Sequence, residues 1–158
     1  MIYETPQEFA AAIPAYGAVA GLDLGTMTIG VAVSDLMKAV ATPLETIKRK
    51  KFGVDAAALL KLTTSRDVKG LVLGLPRNMD GSEGPRCQST RAFARNCSRL
   101  WDGPVTFWDE RLSTVAAERA LLEADTSRAT RAELIDHVAA SYILHGALDR
   151  LRHLRANG

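Results

Sequence analysis

Three acidic positions stand out because carboxylates are costly there unless they are used. Asp23 lies in Gly21-Leu22-Asp23-Leu24-Gly25-Thr26, inside an apolar run that reads as a central strand buried on both faces. An ionised side chain in such a strand is strongly disfavoured unless it is paired. Residues two apart share a strand face, so Asp23 lies between Gly21 and Gly25 with no side chain on either side. A metal ion or a phosphate needs that open space; the competing reading is a turn Asp capping the hairpin that follows. Trp108-Asp109-Glu110-Arg111 puts two further carboxylates directly after a strand. Open α/β sheets place their ligands at such strand ends, so Asp109 or Glu110 could reach the region of Asp23. Equally, one of them could belong to the N-cap of the next helix, with Ser113 as another cap candidate. Asp136 stands near the start of the last helix, with Ala139, Ala140 and Ile143 three, four and seven positions onward. That face is apolar and small enough for the helix to lie close to a sheet, although an acid complementing the helix dipole also accounts for it.

Taken together, such carboxylates are the hard oxygen ligands that Mg²⁺ or Mn²⁺ prefers. Two such ions about 3.5–4 Å apart activate a water and stabilise a departing phosphodiester oxygen. Histidine does not offer an alternative set. His137, His145 and His153 recur every eight residues, about 80° apart per step around a helix, so they fan out rather than converge. The segment from Leu75 to Gly84 follows a strand and precedes a helix, and exposed amides at that helix start can hold a phosphate. It lacks the GxxxxGK[ST] pattern of a Walker-type nucleotide site. Arg77 and Arg86 flank this loop, and Arg91, Arg95 and Arg99 follow at steps of four, a row able to track a nucleic-acid backbone or to be a solvated face. The expectation is that Arg77 and Arg86 grip substrate phosphates, that Arg91 and Arg95 extend the track, and that Thr26 joins them from the hairpin turn. Arg111, directly after Glu110, is expected to orient carboxylates or to contact the scissile phosphate through its planar donor fork.

The elements that must position these residues follow from pattern. A short helix over Pro6–Ala12 precedes two apolar runs, Ala18–Leu24 and Ile29–Ser34, split by Gly25–Thr28 as a hairpin. Val40–Ile47 is a third strand confined to an edge or bulge by Pro43, and the basic run Lys48–Lys51 ends it as a solvated turn. A helix over Val54–Leu62, a strand at Gly70–Leu75, a helix over Pro85–Trp101 and a strand at Val105–Trp108 come next. A helix over Thr114–Ala124, a loop at Ser127–Thr130 and a final helix over Arg131–His153 complete the order. A hairpin followed by alternating strands and helices predicts a mixed five-stranded sheet flanked by helices, its first three strands antiparallel and its later strands parallel to the first.

At 158 residues the chain is one domain, divided here as a short extension at 1–17, a core at 18–154 and a tail at 155–158. A composition 47% hydrophobic and 24% charged excludes a disordered or fibrous chain, and a net charge of +2 leaves any basic patch to local arrangement. Cys87 and Cys97, ten positions apart on one predicted helix, are too far apart for a disulfide and read as free thiols in a reducing compartment. Glu4 and Glu8 stand where a signal peptide would be basic, and Pro14, Gly17 and Asp23 interrupt the apolar stretch, so the expected location is the cytoplasm.

Four segments carry a family likeness: GLDLGTMTIGVAVSD at Gly21–Asp35, LGLPRNMDGSEGP at Leu73–Pro85, WDERLST at Trp108–Thr114 and LIDHVAASYIL at Leu134–Leu144. Over roughly Val19 to Leu148 the chain resembles the YqgF family, the RuvX-like group of Holliday-junction resolvases and pre-16S rRNA nucleases. The resemblance implies an RNase H-like fold, divalent-metal nuclease activity and maturation of the 5′ end of 16S ribosomal RNA on a ribosome precursor. The family's acidic positions fall on Asp23, Glu110 and Asp136, which it implies as catalytic residues and metal ligands. In the role expected for each, Asp23 bridges two ions and Glu110 and Asp136 each complete one site. The chain departs from the pattern at Met27-Thr28, where members often carry basic residues.

Three function classes compete. The first is a metal-dependent nuclease acting on precursor rRNA or on branched DNA, as a monomer or weak homodimer. The second is an actin-like sugar or acetate kinase, because Asp23-Leu24-Gly25-Thr26 followed by Gly30 resembles its phosphate-binding hairpin; that class needs two such domains, and 158 residues supply one. The third is a non-catalytic RNA-binding module, against which the three acids argue.

Overall fold

The computed structural model describes residues 1–112 and 128–157, with residues 128–137 and 157 described by their backbone alone. These residues form six strands: β1 (Ile2–Tyr3), β2 (Ala18–Leu24), β3 (Thr28–Ser34), β4 (Ala41–Lys48), β5 (Val68–Leu75) and β6 (Val105–Asp109). Four α-helices accompany them, α1 (Pro6–Ala12), α2 (Phe52–Ser65), α3 (Pro85–Leu100) and α4 (Arg128–Asn157), and Glu110–Leu112 adds one 3-10 turn. The sheet order is β1-β6-β5-β2-β3-β4. β2, β3 and β4 pair antiparallel, whereas β5 and β6 run parallel to β2.

The expected mixed sheet is therefore present, with one strand more than the five expected. The sixth is β1, a two-residue edge strand from the 1–17 segment that pairs parallel with β6 through Ile2–Val105 and Tyr3–Thr106. Two residues carry no periodicity; the pairing is set by β6, whose Thr106 hydroxyl donates to the Tyr3 carbonyl at 2.8 Å. Pro43 lies on the outer strand β4 beside a register shift, so it satisfies both the edge and the bulge condition. The last helix begins earlier than expected, since Arg128–Thr130 are already helical. The helix expected over Thr114–Ala124 lies outside the described residues, as does Ser127.

Alternation along β2 and β5 sorts the core into two layers. Ala20, Leu22 and Leu24 with Leu71 and Leu73 face Leu59 of α2 and Phe93 of α3. Val19 and Val72 face the opposite way, onto Ala140, Ile143, Leu144 and Leu148 of α4. Asp23 belongs to the α4 layer by its spacing from Val19, so its carboxylate sits on the helix side opposite α2 and α3. Cys87 and Cys97 are both buried on α3 and unbonded, and burial pushes the Cys97 thiol up to about 11.

Candidate active site

β2 is a central strand, flanked by β5 and β3, and Asp23 near its carboxyl end is only 7% exposed. Its neighbours explain how a carboxylate fits there. Along the strand stand Gly21 and Gly25, and directly across the β2–β3 pair stands Gly30. On the other side, one step beyond the Leu22–Leu73 pair, stands Gly74 of β5. The acid is thus walled by four glycines, two of which, Gly30 and Gly74, enter only through strand pairing.

Those glycines also let α4 come close. A Cβ at Gly21 would lie 2.7 Å from the Leu144 Cβ and 3.0 Å from the Ala140 carbonyl oxygen. A Cβ at Gly74 would run into Ile143 Cδ1 and would lie 3.4 Å from the Glu110 carboxyl carbon. The last contact places Glu110: its carboxyl group reaches back over β5 to Gly74, on the same face of the sheet as Asp23 and at the same level. Glu110 opens the 3-10 turn that ends β6, and that turn redirects its side chain. Asp136 lies in the backbone of α4, four residues before Ala140; its side chain is outside the described residues. Among the described residues no three potential metal ligands cluster, so the pair Asp23 and Glu110 is what the structure brings together.

Asp109 has a different assignment from its neighbour. The Arg111 Nε approaches both its carboxylate oxygens, at 3.1 and 3.2 Å, and Arg111 Nη2 donates to Oδ2 at 2.7 Å. Arg77 Nη1 approaches the same oxygen at 3.5 Å. Arg111 beside it holds the Asp109 carboxyl below the usual carboxylate range, against the opposing effect of burial. Arg111, expected either to orient carboxylates or to contact the scissile phosphate, forks onto Asp109. Arg111 Nη1 also donates to the Met79 carbonyl at 3.3 Å, which ties the end of β6 to the 76–84 loop.

That loop is internally bonded. The Asn78 amide donates to the Ser82 carbonyl, the Gly81 amide to the Asn78 carbonyl and the Ser82 amide to Asp80 Oδ1. Gly81 adopts φ +90°, a conformation that L side chains rarely take. Glu83 then gathers two arginines: Arg91 forks onto it through Nε at 2.6 Å and Nη2 at 2.8 Å, and Arg77 Nε donates at 3.2 Å. The Arg91 hydrogen bonds hold the Glu83 carboxyl below its ordinary range and raise the guanidinium in turn. Arg91 also donates to Glu4 from the N-terminal segment and stacks 4.8 Å from the Phe107 ring centroid. Arg95, by contrast, is exposed on α3.

Arg86 and Thr26 lie elsewhere, at a recess lined by Leu24, Gly25, Thr26, Arg49, Pro85, Arg86, Ser89 and Thr90. Arg49 is a residue sequence reasoning missed, because it falls within the basic run read as a solvated turn. Lys48, Lys50 and Lys51 are indeed exposed, but Arg49 is half-buried. The signal was the hairpin register: β4 returns antiparallel along β3 with Thr28 opposite Lys48, so residue 49 arrives beside the β2–β3 turn. Its amide donates to the Met27 carbonyl at 2.9 Å.

Comparison with known proteins adds an independent line. Residues 17–150 match the family model RuvX, described as Holliday junction resolvase. A protein of Ruegeria pomeroyi named "Putative pre-16S rRNA nuclease" is 74% identical over 154 residues, covering 98% of this chain and all of that protein. A Rhodobacter capsulatus protein of the same name is 67% identical over 159 residues and covers both chains completely. Among solved structures, Thermus thermophilus RuvC in complex with a Holliday junction substrate superposes with a TM-score of 0.53 at 15% identity, covering 86% of this chain and 96% of that one. The last likeness is one of fold.

Proposed function

The chain belongs to the RuvX (YqgF) family, and from that membership and its site we propose that it is a divalent-metal-dependent nuclease that trims the 5′ end of precursor 16S rRNA in the cytoplasm. The observation that carries the chemistry is the convergence of Asp23 and Glu110 on one glycine-walled stretch of the sheet. The glycines beside this buried carboxylate let α4 pack against the sheet, and Gly74 has both Ile143 and the Glu110 carboxyl group against it. Two carboxylates placed there form a hard, all-oxygen donor set, which fits Mg²⁺ or Mn²⁺ and not a thiol-seeking or imidazole-seeking metal. Asp136, whose backbone stands four residues before Ala140 on α4, is the third ligand that the family resemblance implies.

Asp23, Glu110 and Asp136 would hold a divalent ion, which when bound would supply an activated water and neutralise charge on the phosphodiester. The chain's own part is positional. β2 fixes Asp23 between two neighbouring strands, so its carboxylate has no freedom to follow the substrate. The 3-10 turn swings Glu110 back over Gly74, and the Asp109–Arg111 pair holds that turn in place. Of the arginines expected along the substrate track, Arg77, Arg91 and Arg111 are fixed by carboxylates and shape the loop and turn beside it, while Arg86, Arg95 and Thr26 face substrate.

Asp23→Asn keeps the volume and removes the charge, so the protein should fold with an undiminished melting temperature and lose cleavage altogether. Parental cleavage by purified Asp23→Asn, or full activity in excess chelator, would remove the proposal. The RuvX description favours a second substrate, the four-way DNA junction. Cleavage of precursor 16S rRNA and of a four-way junction by the same preparation with Mn²⁺ separates the two: junction resolution calls for paired symmetric cuts and hence a dimer, whereas end-trimming is possible for a monomer.

A further inference from the structure

The carboxyl end of β2 carries a second feature, on the sheet face away from Asp23. There Arg49 and Arg86, 37 positions apart in the chain, converge on two consecutive strand-end carbonyls. Arg49 Nη1 donates to the Gly25 carbonyl at 2.7 Å, and Arg86 Nη2 approaches the Leu24 carbonyl at 3.5 Å. Between them opens a recess of about 240 Å³, with no acidic residue in its lining. Among the described residues neither guanidinium forms an ion pair, in contrast to Arg77, Arg91 and Arg111.

Arg49 is held in place by more than its hydrogen bond. Its guanidinium carbon lies 5.7 Å from the centroid of the Phe93 ring, and Phe93 is buried edge-to-face against Phe52 at 5.4 Å. Stacking of this kind fixes the guanidinium plane while leaving donors toward the recess. Ser89 and Thr26 add hydroxyls to the lining, and the first turn of α3 adds the positive end of its dipole. Two preorganised cations, hydroxyl donors and no acid constitute a site for a doubly coordinated anion of phosphate size.

We propose that Arg49 and Arg86 clamp a non-scissile phosphate of the nucleic-acid substrate, adjacent to the phosphate presented to Asp23. The clamp deepens the nuclease reading and rests on it for the substrate class. Because Leu24 follows Asp23 directly, a strand lying across the β2–β3 turn meets the carboxylates on one side and the arginines on the other. The clamp thereby fixes which phosphate reaches the carboxylates, and it acts on RNA and DNA alike because both present the same phosphodiester.

Binding rather than cleavage is the test, so that an inactive preparation still decides it. Fluorescence anisotropy of short labelled single-stranded RNA, and of the DNA of the same sequence, is measured across a salt series in the Asp23→Asn background. Arg49→Gln and Arg86→Gln should each weaken binding about tenfold and flatten the slope of log affinity against log salt by about 0.7 per contact removed. Arg49→Lys should recover part of the affinity, since it keeps the charge and loses the planar fork. A neutral methylphosphonate placed in turn at each position should weaken parental binding most at one position beside the cut, and the double Arg49→Gln/Arg86→Gln variant should be insensitive there. Lys51→Gln, an exposed neighbour on the same basic run, is the control for loss of one charge anywhere. The proposal is overturned if the double variant keeps parental affinity and salt slope, or if Lys51→Gln loses as much as Arg49→Gln. Should this binding pattern appear while the protein with Asp23 intact cleaves no substrate, the clamp stands and the nuclease reading falls. A folded double variant is confirmed by its melting curve; if Arg49→Gln does not fold, Arg86→Gln and the methylphosphonate scan carry the test.

Discussion

The two groups of arginines around the end of this sheet differ in what they touch. Arg77, Arg91 and Arg111 each meet a carboxylate: Glu83 takes Arg77 and Arg91, and Asp109 takes Arg111 and the far side of Arg77. Among the described residues Arg49 and Arg86 meet carbonyl oxygens and, for Arg49, the face of Phe93. Both groups lie near the end of the sheet that carries Asp23 and Glu110, yet among the described residues only the first is matched by carboxylates. The difference teaches that position alone does not identify a phosphate contact. A guanidinium forked onto an acid in the free protein is already complemented, and its first effect is to shape the chain around it. In this molecule the paired group fixes the 76–84 loop and the turn that aims Glu110, while the other group is the one proposed to meet substrate.

Glu83→Gln would break the comparison most strongly, apart from the clamp variants themselves. The substitution leaves Arg77 and Arg91 without their shared charge, and three charge-assisted contacts at a one-quarter exposed carboxylate weaken together. After allowance for solvent screening the loss is about 2 kcal/mol, which lowers the melting temperature by about 4–8 °C in a chain of this size. The same change should slightly tighten non-specific RNA binding and steepen its salt slope, because Arg77 and Arg91 lose their shared acid and keep Asp109 and Glu4 as partners. Stability and affinity thus move in opposite directions. If melting is unchanged, the paired group is not a structural unit and the contrast fails.

Arg111→Ala sharpens the contrast from the other side. It removes the fork on Asp109 and the donation to the Met79 carbonyl, so the turn carrying Glu110 loses its brace. Turnover should fall about tenfold, roughly 1.4 kcal/mol of barrier, with KM and the salt slope of binding nearly unchanged. Arg111→Lys should rescue little, since a single ammonium cannot span both oxygens. A large rise in KM with unchanged turnover would instead place Arg111 among the substrate contacts.

Much of this arrangement could be read from the chain, and what escaped shares one cause. Local pattern located α1, β2 and the start of α3, because apolar alternation and a proline at a helix start are properties of neighbouring residues. Gly21 and Gly25 were legible around Asp23 for the same reason. Gly30 and Gly74 were not, since they become its neighbours only once β2 lies between β3 and β5. Arg49 escaped because a run of basic residues reads as solvent-facing, and only the β3–β4 register returns it to the first turn. Nothing in the spacing of Asp109 and Glu110 distinguished their roles; Arg111 does so by capturing the first and leaving the second over Gly74. Glu83 passed unnoticed beside the arginines it neutralises, as it is part of a loop whose shape the sequence does not contain.

The smallest expected effect is a pH dependence confined to the paired group. Hydrogen bonding from Arg111 holds the Asp109 carboxyl below its unfolded value of about 3.9. A carboxyl whose folded value is depressed contributes stability that is complete above the unfolded value and disappears as pH falls through the folded one. The contribution should therefore be constant from neutrality to about pH 5 and fade below about pH 4. The contribution is small, because Arg111 is nearly one-third exposed and the pair is screened. Asp109→Asn, which cannot ionise, should melt below the parent at pH 7, with the gap narrowing as pH falls below about 4. The Arg49–Arg86 recess holds no acid, so Arg49→Gln should differ from the parent by the same amount at pH 7 and at pH 3. A gap between parent and Asp109→Asn that persists undiminished at pH 3 would show that the Asp109 carboxylate is held by its packing rather than by its charge.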